Sequence, residues 1–144
     1  MTIQDILQQK GEQPVLVRPT ETVLSVTRLM RERRASAVIV EDDHLRPASI
    51  FTERDLGKAV ARHGAGALSM AVGPLSSAPL VTCHPGERVE VALATMTLAN
   101  VRHLVVMADG ALAGIISIVD LVRQRLQDKE FEARVLLDLA RMHS

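Results

Sequence analysis

Two four-residue motifs carry the groups in this sequence that are best suited to hold a small ligand. Thr52–Asp55 (TERD) and Ser117–Asp120 (SIVD) each place a hydroxyl three residues before a carboxylate, where an apolar run gives way to a helix-like segment. The free N–H groups and partial positive charge at a helix N-terminus favour phosphate. An Asp one turn further on can accept hydrogen bonds from two vicinal ribose hydroxyls, as acids do in dinucleotide folds. The two motifs therefore indicate a ligand that carries a sugar and a phosphate.

The same spacing also fits a structural role. A Thr or Ser followed three residues later by an acid resembles a capping box, in which the hydroxyl accepts a bond from an orphan amide of the first helical turn. The motifs alone do not decide between capping and ligand binding, although their occurrence at matched points of a repeat favours binding. Arg54, inside the first motif, either makes a charge-assisted contact to a phosphate or lies solvated on the surface.

A dibasic pair, Arg102 and His103, directly precedes the apolar run Leu104–Val106. At the start of a strand such a pair can face a phosphate in a cleft, whereas the corresponding residues of the first half, Ser36 and Ala37, are neutral. The alternatives are an exposed arginine at the rim of the fold and a structural, hydrogen-bonded histidine. The two candidate sites are thus expected to differ in charge.

The sequence offers little for catalysis or for a metal ion. The single cysteine, Cys83, adjoins His84, but neighbouring residues on a strand point to opposite faces and cannot form a nucleophile–base pair with each other. A buried, unreactive thiol is the expected state. The histidines show no metal-ligand spacing, and no P-loop, G-x-S-x-G or G-x-G-x-x-G motif is present. We therefore predict no catalytic residue, no metal site and no required cofactor.

Composition restricts the class of protein and its partners. The 144 residues carry 17 Lys+Arg and 17 Asp+Glu, so the net charge of +0 lacks the cationic surplus that binding to a phosphate backbone requires. No apolar run approaches the roughly 20 residues of a membrane span, and the polar, acidic start differs from a signal peptide. We expect a cytoplasmic protein that binds neither nucleic acid nor membrane.

An internal repeat supplies the elements that position these groups. Pro19 and Pro85 lie 66 residues apart, and each precedes a segment with apolar residues at helical spacing. A buried-strand pattern, a turn, a second strand and the hydroxyl–acid motif follow, which predicts the order strand–helix–strand–strand–helix in each half. The predicted strands are Val15–Val17, Ala37–Val40 and Ser49–Thr52 in the first half, and Leu80–Cys83, Leu104–Met107 and Gly114–Ser117 in the second.

One unit of about 50 residues is too small to cover both faces of its sheet. We therefore expect an α/β (α+β) fold in which two β-α-β-β-α repeats pack sheet to sheet as one pseudo-two-fold module. The predicted division is an N-terminal helix and first repeat at 1–66, a linker and second repeat at 67–127, and a C-terminal helix at 128–144. The apolar stripe of that last helix, which includes Phe131 and Leu139, must dock on this module or on a partner subunit.

Taken together, these residues resemble the cystathionine-β-synthase (CBS) domain, and the chain looks like a stand-alone CBS pair, or Bateman module. The resemblance covers about residues 3–127. Ser49 stands where the family usually has Gly, and Val105 stands where it often has Pro. The matching segments are Lys10–Gly11, Val17–Pro19 and Ser49–Asp55 in the first copy, and Val81–Pro85, Val101–Val106 and Gly114–Leu121 in the second.

The resemblance implies a non-catalytic regulatory module that binds an adenosyl ligand in the cleft between the repeats, such as AMP, ADP, ATP, NAD(H) or S-adenosylmethionine. In that family the hydroxyl of each motif contacts phosphate, a role that falls here on Thr52 and Ser117. The acid holds the ribose hydroxyls, which implicates Asp55 and Asp120. Thr82 matches a threonine that lines the cleft in several members.

Arg102 and His103 match basic residues that contact phosphate in the nucleotide-binding members of the family. We group this pair with Gly114, Ser117 and Asp120 as the favoured second site, while Arg54 and Asp55 support the first. Such modules commonly form a flat dimer through the helices that follow the motifs, which implies a homodimer. The leading hypothesis is a regulator that signals to an effector protein which the sequence does not identify. The alternative is a scaffold or oligomerisation module whose clefts are vestigial.

Overall fold

A computed structural model of the chain describes residues 1–142, so that the last two residues of the predicted C-terminal segment, His143 and Ser144, lie outside the described residues. The described part contains five α-helices and six strands, with two short 3₁₀ helices, Gly64–Ser69 and Gly73–Leu75, in the linker. The helices are α1 (Ile3–Lys10), α2 (Val23–Arg33), α3 (Glu53–His63), α4 (Val89–Ala99) and α5 (Ile118–Met142). The strands are β1 (Leu16–Val17), β2 (Ala37–Glu41), β3 (Pro47–Thr52), β4 (Thr82–Cys83), β5 (His103–Ala108) and β6 (Ala111–Ser117).

The strands form two three-stranded sheets with the same topology. In each sheet the middle strand pairs with a parallel neighbour and with the antiparallel second strand of a hairpin, in the orders β1-β2-β3 and β4-β5-β6. The equivalent registers Val17↔Val40 and Cys83↔Val106 show that the two halves are built alike. The predicted β-α-β-β-α repeat and the mixed α and β class are therefore confirmed.

The two sheets pack against each other through a small apolar cluster. Ile39 in the first sheet and Val105 in the second are 0% and 1% exposed, and both belong to this cluster together with Ile115. Each sheet also covers its own helical core on the opposite face, which is why the middle strands read as continuous apolar runs. The predicted sheet-to-sheet packing accounts for the burial of both faces.

The N-terminal helix α1 completes the core of the second repeat. Ile3 and Ile6 are 0% and 4% exposed and lie in the same cluster as Leu104 of β5. A capping box of Thr2 and Asp5 starts this helix, and Gly11 ends it in the left-handed conformation (φ 64°). The first residues of the chain therefore pack against the half that is furthest away in sequence.

Helix α5 is one continuous helix of 25 residues, which at about 1.5 Å per residue is close to 37 Å long. The predicted C-terminal helix at 128–144 is its distal part, because no Gly or Pro interrupts the sequence between Ile118 and Met142. Phe131 and Leu136 are both 67% exposed, so the distal apolar stripe does not dock on the described part of its own module. The division at 66/67 and 127/128 stays a prediction.

Among the described residues, none of the helices combines the length and the apolarity that crossing a bilayer requires.

Candidate ligand clefts between the repeats

Two clefts open at the junction of the repeats, and each contains one hydroxyl–acid motif. Cleft one has a volume of about 860 Å³ and holds the Thr52–Asp55 motif, and cleft two has a volume of about 490 Å³ and holds Ser117 and Asp120. Both volumes fall in the range of roughly 300–1,000 Å³ that is typical of small-molecule sites. His103 lines both clefts, so the two sites share a wall.

Each cleft is built from both repeats. In cleft one, the motif of the first repeat faces residues 100–103, which precede and begin β5 in the second repeat. In cleft two, the motif of the second repeat faces residues 34–37, at the corresponding point of the first repeat. This crossed arrangement contradicts the grouping of Arg102 with Ser117 and Asp120, because Arg102 lines cleft one. The pseudo-symmetry brings each motif against the strand entrance of the other repeat.

The corner of cleft one is a complete capping box. The Asp55 amide donates to Thr52 Oγ1 (3.3 Å), while Asp55 Oδ2 accepts from the Thr52 amide (3.0 Å) and from its hydroxyl (3.1 Å). Asp55 Oδ1 accepts a third side-chain bond from the Ser77 hydroxyl at 2.7 Å, and Asp55 is only 6% exposed. The motif therefore caps the N-terminus of α3, and Asp55 also lies on the wall of cleft one.

The corner of cleft two has the same reciprocal bonds but a different third partner. The Ser117 amide donates to Asp120 Oδ2 (2.9 Å), and the Asp120 amide donates to Ser117 Oγ (3.2 Å). Lys10 Nζ, at the end of α1, donates to the same Asp120 Oδ2 at 3.0 Å and to the Ile115 carbonyl at 3.2 Å. Within residues 1–142, Asp120 Oδ1 receives no hydrogen bond, so it remains available to a ligand hydroxyl.

His103 connects the two repeats where the clefts meet. Its Nε2 lies 2.8 Å from Ser36 Oγ, across the repeat junction. Burial lowers the pKa of His103 below its usual 6.5, and the nearby Lys10 ammonium lowers it further, while Asp120 and Asp55 act in the opposite direction. A neutral imidazole near pH 7 is the result, so His103 offers a hydrogen bond to a ligand and not a fixed positive charge. The hydrogen bond expected of a structural histidine is therefore present, and contact of His103 with a ligand stays a prediction.

The two predicted arginines lie at the rim of cleft one. Arg102 is exposed and lines this cleft, as does Arg54, whose Nη1 donates to the Asn100 carbonyl at 3.4 Å. Thr82 pairs with Val105 in the sheet, and its exposed side chain lies outside the linings that the described residues give to the two clefts. Of the predicted residues, the structure therefore brings all but Thr82 to one or other cleft.

Ser49 does not obstruct cleft one. Its Oγ lies 2.6 Å from Ser76 Oγ in the linker, on a side of β3 that packs away from the cleft. At the equivalent position of the second repeat, a Cβ on Gly114 would come within 2.7 Å of Leu7 Cδ2. Gly114 thus allows α1 to pack closely against β6, and Ser49 contacts the linker.

The remaining reactive groups lie apart from the clefts. Burial raises the pKa of the Cys83 thiol from 9.0 to about 12, and the negative charge of Glu87 adds to the shift. Cys83 is a free thiol in the core of the second repeat, as predicted. No group of three or more potential metal ligands occurs in the part of the chain that the structure describes.

Sequence reasoning missed several residues that shape the clefts. Lys10 was part of the Lys10–Gly11 match but was given no role, and Lys58 and Ser77 of cleft one were not singled out. Ser77 lies in the linker, where its small polar side chain looked like turn composition. A basic residue that ends a helix, directly before a left-handed glycine, was the available signal for Lys10.

Comparison with known proteins identifies the family of the two repeats. One family, described as "CBS domain", matches residues 3–62 and 72–126, which together are most of the chain. The chain belongs to the CBS domain family. Its two CBS domains are the two repeats described above, and the sheet of each domain carries one hydroxyl–acid motif at its end.

Solved CBS structures share this fold. The CBS-domain containing protein ATU1752 from Agrobacterium tumefaciens is 35% identical, with a TM-score of 0.82 over 86% of this chain and 92% of that one. The CBS domain protein PAE2072 from Pyrobaculum aerophilum, solved in complex with AMP, is 29% identical, with a TM-score of 0.75 over 97% of this chain and 98% of that one. Among curated relatives, MK0525 from Methanopyrus kandleri is 29% identical over 73% of this chain, which spans 54% of that protein's length.

Proposed function

We propose that this CBS pair is a non-catalytic regulatory module that binds an adenine nucleotide in its inter-repeat clefts. CBS domain proteins are generally regulatory, and this fits clefts that hold hydrogen-bonding groups and no activated nucleophile among the described residues. The observation that carries the proposal is the placement of Asp120 on the wall of cleft two, with Oδ1 free of hydrogen bonds from residues 1–142. A vicinal diol needs such an acceptor.

The likeness to PAE2072 supports the choice of ligand. That protein was solved with AMP and is similar to this chain along almost the full length of both. AMP, ADP and ATP share the ribose and the α-phosphate, which suit the carboxylate of Asp120 and the hydroxyl of Ser117. We expect AMP to bind first among them, and NAD(H) and S-adenosylmethionine are the next ligands to test. No cofactor is required in this proposal.

Isothermal titration calorimetry with AMP, ATP, NADH and S-adenosylmethionine tests the proposal. Wild-type protein is expected to bind AMP, and Asp120→Asn is expected to lose at least about tenfold in affinity, since each lost charge-assisted hydrogen bond is worth about 1.5–3 kcal/mol. Asp109→Asn, in the exposed β5–β6 turn and outside both clefts, is the matched control. No heat from any of the four ligands at millimolar concentration would overturn the proposal.

Transmission of the signal would use an interface between two copies of the chain. The helices that follow the motifs expose apolar side chains: Val60 of α3 is 43% exposed, and Val119, Val122 and Leu126 of α5 are 52%, 46% and 58% exposed. Residues 119, 122 and 126 share one helix face at three- and four-residue spacing. We propose a homodimer through this face, in which ligand binding between the repeats favours one relative orientation and an effector protein responds to it.

Light scattering during gel filtration tests the homodimer. Val122→Glu combined with Leu126→Glu is expected to give a folded monomer, while Leu98→Glu, at an 88% exposed position on α4, is expected to leave the dimer intact. A wild-type monomer, or a dimer that survives the double substitution, contradicts the proposed interface. We also propose a cytoplasmic location, which cell fractionation with an antibody to the chain would check.

A scaffold or oligomerisation module is the second candidate. It is favoured by the same exposed apolar face and by the occupation of Asp120 Oδ2 by Lys10, since both features are stable without a ligand. This candidate predicts a dimer whose melting temperature does not change with millimolar AMP. A ligand-dependent rise in melting temperature that Asp120→Asn abolishes decides against it.

A further inference from the structure

Lys10 is the one cation that contacts a motif carboxylate among the described residues. Its Nζ lies 3.0 Å from Asp120 Oδ2 and 3.2 Å from the Ile115 carbonyl, and its side chain is 27% exposed. The backbone of Lys10 is held in place because α1 is anchored by Ile3 and Ile6 in the core and ends at Gly11, and the two hydrogen bonds orient its ammonium. Lys10 is therefore a built part of the cleft wall.

The two clefts differ at this point. In cleft one the third partner of the acid is the neutral hydroxyl of Ser77, which bonds Asp55 at 2.7 Å. In cleft two the third partner is a full positive charge, held against a carboxylate whose side chain is 17% exposed. Arg34 and Arg123 also line cleft two, opposed there by Glu12 in addition to Asp120. The motifs occupy equivalent positions of the two repeats, but within residues 1–142 only the acid of the second motif is paired with a cation.

This ion pair couples the binding of the ribose of a ligand to the binding of its phosphate. A ribose hydroxyl that hydrogen-bonds to Asp120 weakens the attraction between this carboxylate and Lys10. A neutral ribose provides no new partner for the partly buried ammonium. A ligand that also carries an anion beside the ribose gives Lys10 a new partner and so offsets the loss. Cleft two therefore has a physical reason to prefer a nucleotide over the corresponding neutral nucleoside.

We propose that Lys10 is the specificity residue of cleft two and selects ligands that carry a phosphate next to the ribose, a selection that rests on the proposed binding of adenine nucleotides. In cleft one, the described residues that hydrogen-bond to the Asp55 carboxylate include no cation equivalent to Lys10. Burial chiefly lowers the pKa of the neighbouring His103, and the Lys10 charge lowers it further. Among the described residues, an ion pair between a cation and the motif acid is thus a property of cleft two.

Titration calorimetry with AMP and with adenosine tests this proposal on wild type, Lys10→Met and Lys10→Arg. The binding step of cleft two is identified as the one that Asp120→Asn removes. In that step Lys10→Met is expected to lower the ratio of AMP affinity to adenosine affinity at least tenfold, and Lys10→Arg is expected to retain most of the preference. Lys58→Met, which removes a cation lining cleft one, is the matched control and should leave this ratio unchanged.

The outcomes separate this proposal from the one on which it rests. Wild-type AMP binding with an unchanged ratio in Lys10→Met overturns the role of Lys10 and leaves nucleotide binding intact. An equal loss of AMP and adenosine affinity also overturns it, because Lys10 would then only maintain the shape of the cleft. Absence of AMP binding in the wild type overturns both proposals. Far-ultraviolet circular dichroism and the melting temperature of each variant establish that it is folded.

Discussion

The unequal burial of the two motif acids predicts unequal effects on stability. Asp55→Ala removes the acceptor for the Thr52 amide, the Thr52 hydroxyl and the Ser77 hydroxyl from a site that is only 6% exposed. Water has little access to the donors that are left without an acceptor, so each of them lowers the free energy of unfolding. At about 1–2 kcal/mol for the lost cap and a similar amount for the stranded Ser77 hydroxyl, the free energy of unfolding should fall by about 2–4 kcal/mol.

Asp120→Ala is the matched comparison. Its side chain is 17% exposed, and the Lys10 ammonium that it leaves behind is 27% exposed, so water can solvate much of what the substitution frees. The expected loss is about 1–2 kcal/mol. The two acids occupy equivalent positions, so the difference between the variants reports the effect of burial and of exchanging the Ser77 contact for the Lys10 ion pair.

Urea denaturation at fixed protein concentration, without ligand, measures both values. For a chain of this size, 2–4 kcal/mol corresponds to a fall in melting temperature of roughly 5–15 °C. A double-mutant cycle of Asp55→Ala with Ser77→Ala should give a coupling energy of about 1 kcal/mol or more. Equal losses in Asp55→Ala and Asp120→Ala, or a coupling energy near zero, would refute the reasoning from burial.

Three further predictions concern positions outside the motifs. Gly114→Ala places a Cβ 2.7 Å from Leu7 Cδ2, the end of a flexible side chain that can shift, so it should destabilise the protein by only about 1 kcal/mol in urea denaturation. Because the folded protein lowers the pKa of His103, the unfolded chain binds more protons. Stability should therefore fall as the pH drops below 6.5, and this part of the pH dependence should vanish in His103→Gln, as melting curves from pH 5 to 7.5 would show. Cys83, with its pKa raised to about 12, should resist iodoacetamide at pH 8 until denaturant is added, and rapid labelling of the folded protein would contradict this.

Local patterns were sufficient to predict the elements of each repeat. Val23, Val26 and Met30 recur at helical spacing, and all three are buried on one face of α2. The apolar run Ala37–Val40 became the middle strand of its sheet, covered on both faces. The cap at Thr52 was visible as well, because a capping box involves residues only three apart.

The composition of the clefts was not available from such patterns. Lys10 and Asp120 are 110 residues apart, and Ser36 and His103 are 67 apart, so their contacts depend on how the repeats are placed relative to each other. Periodicity describes one element at a time and contains no information about that placement. Arg102 was assigned to the wrong cleft for this reason: it belongs to the same repeat as Ser117, whereas its side chain lines the cleft that contains Asp55.

The packing of α1 against the second half of the molecule affects how the protein is made. The Lys10 ammonium binds the carbonyl of Ile115, 105 residues later in the chain. At a translation speed of about 5–20 residues per second, this helix waits roughly 5–20 s on the ribosome before its partner strand exists. Folding of the complete module is thus deferred until β6 has been synthesised, and during that interval the core that buries Ile3 and Ile6 in the folded protein is incomplete.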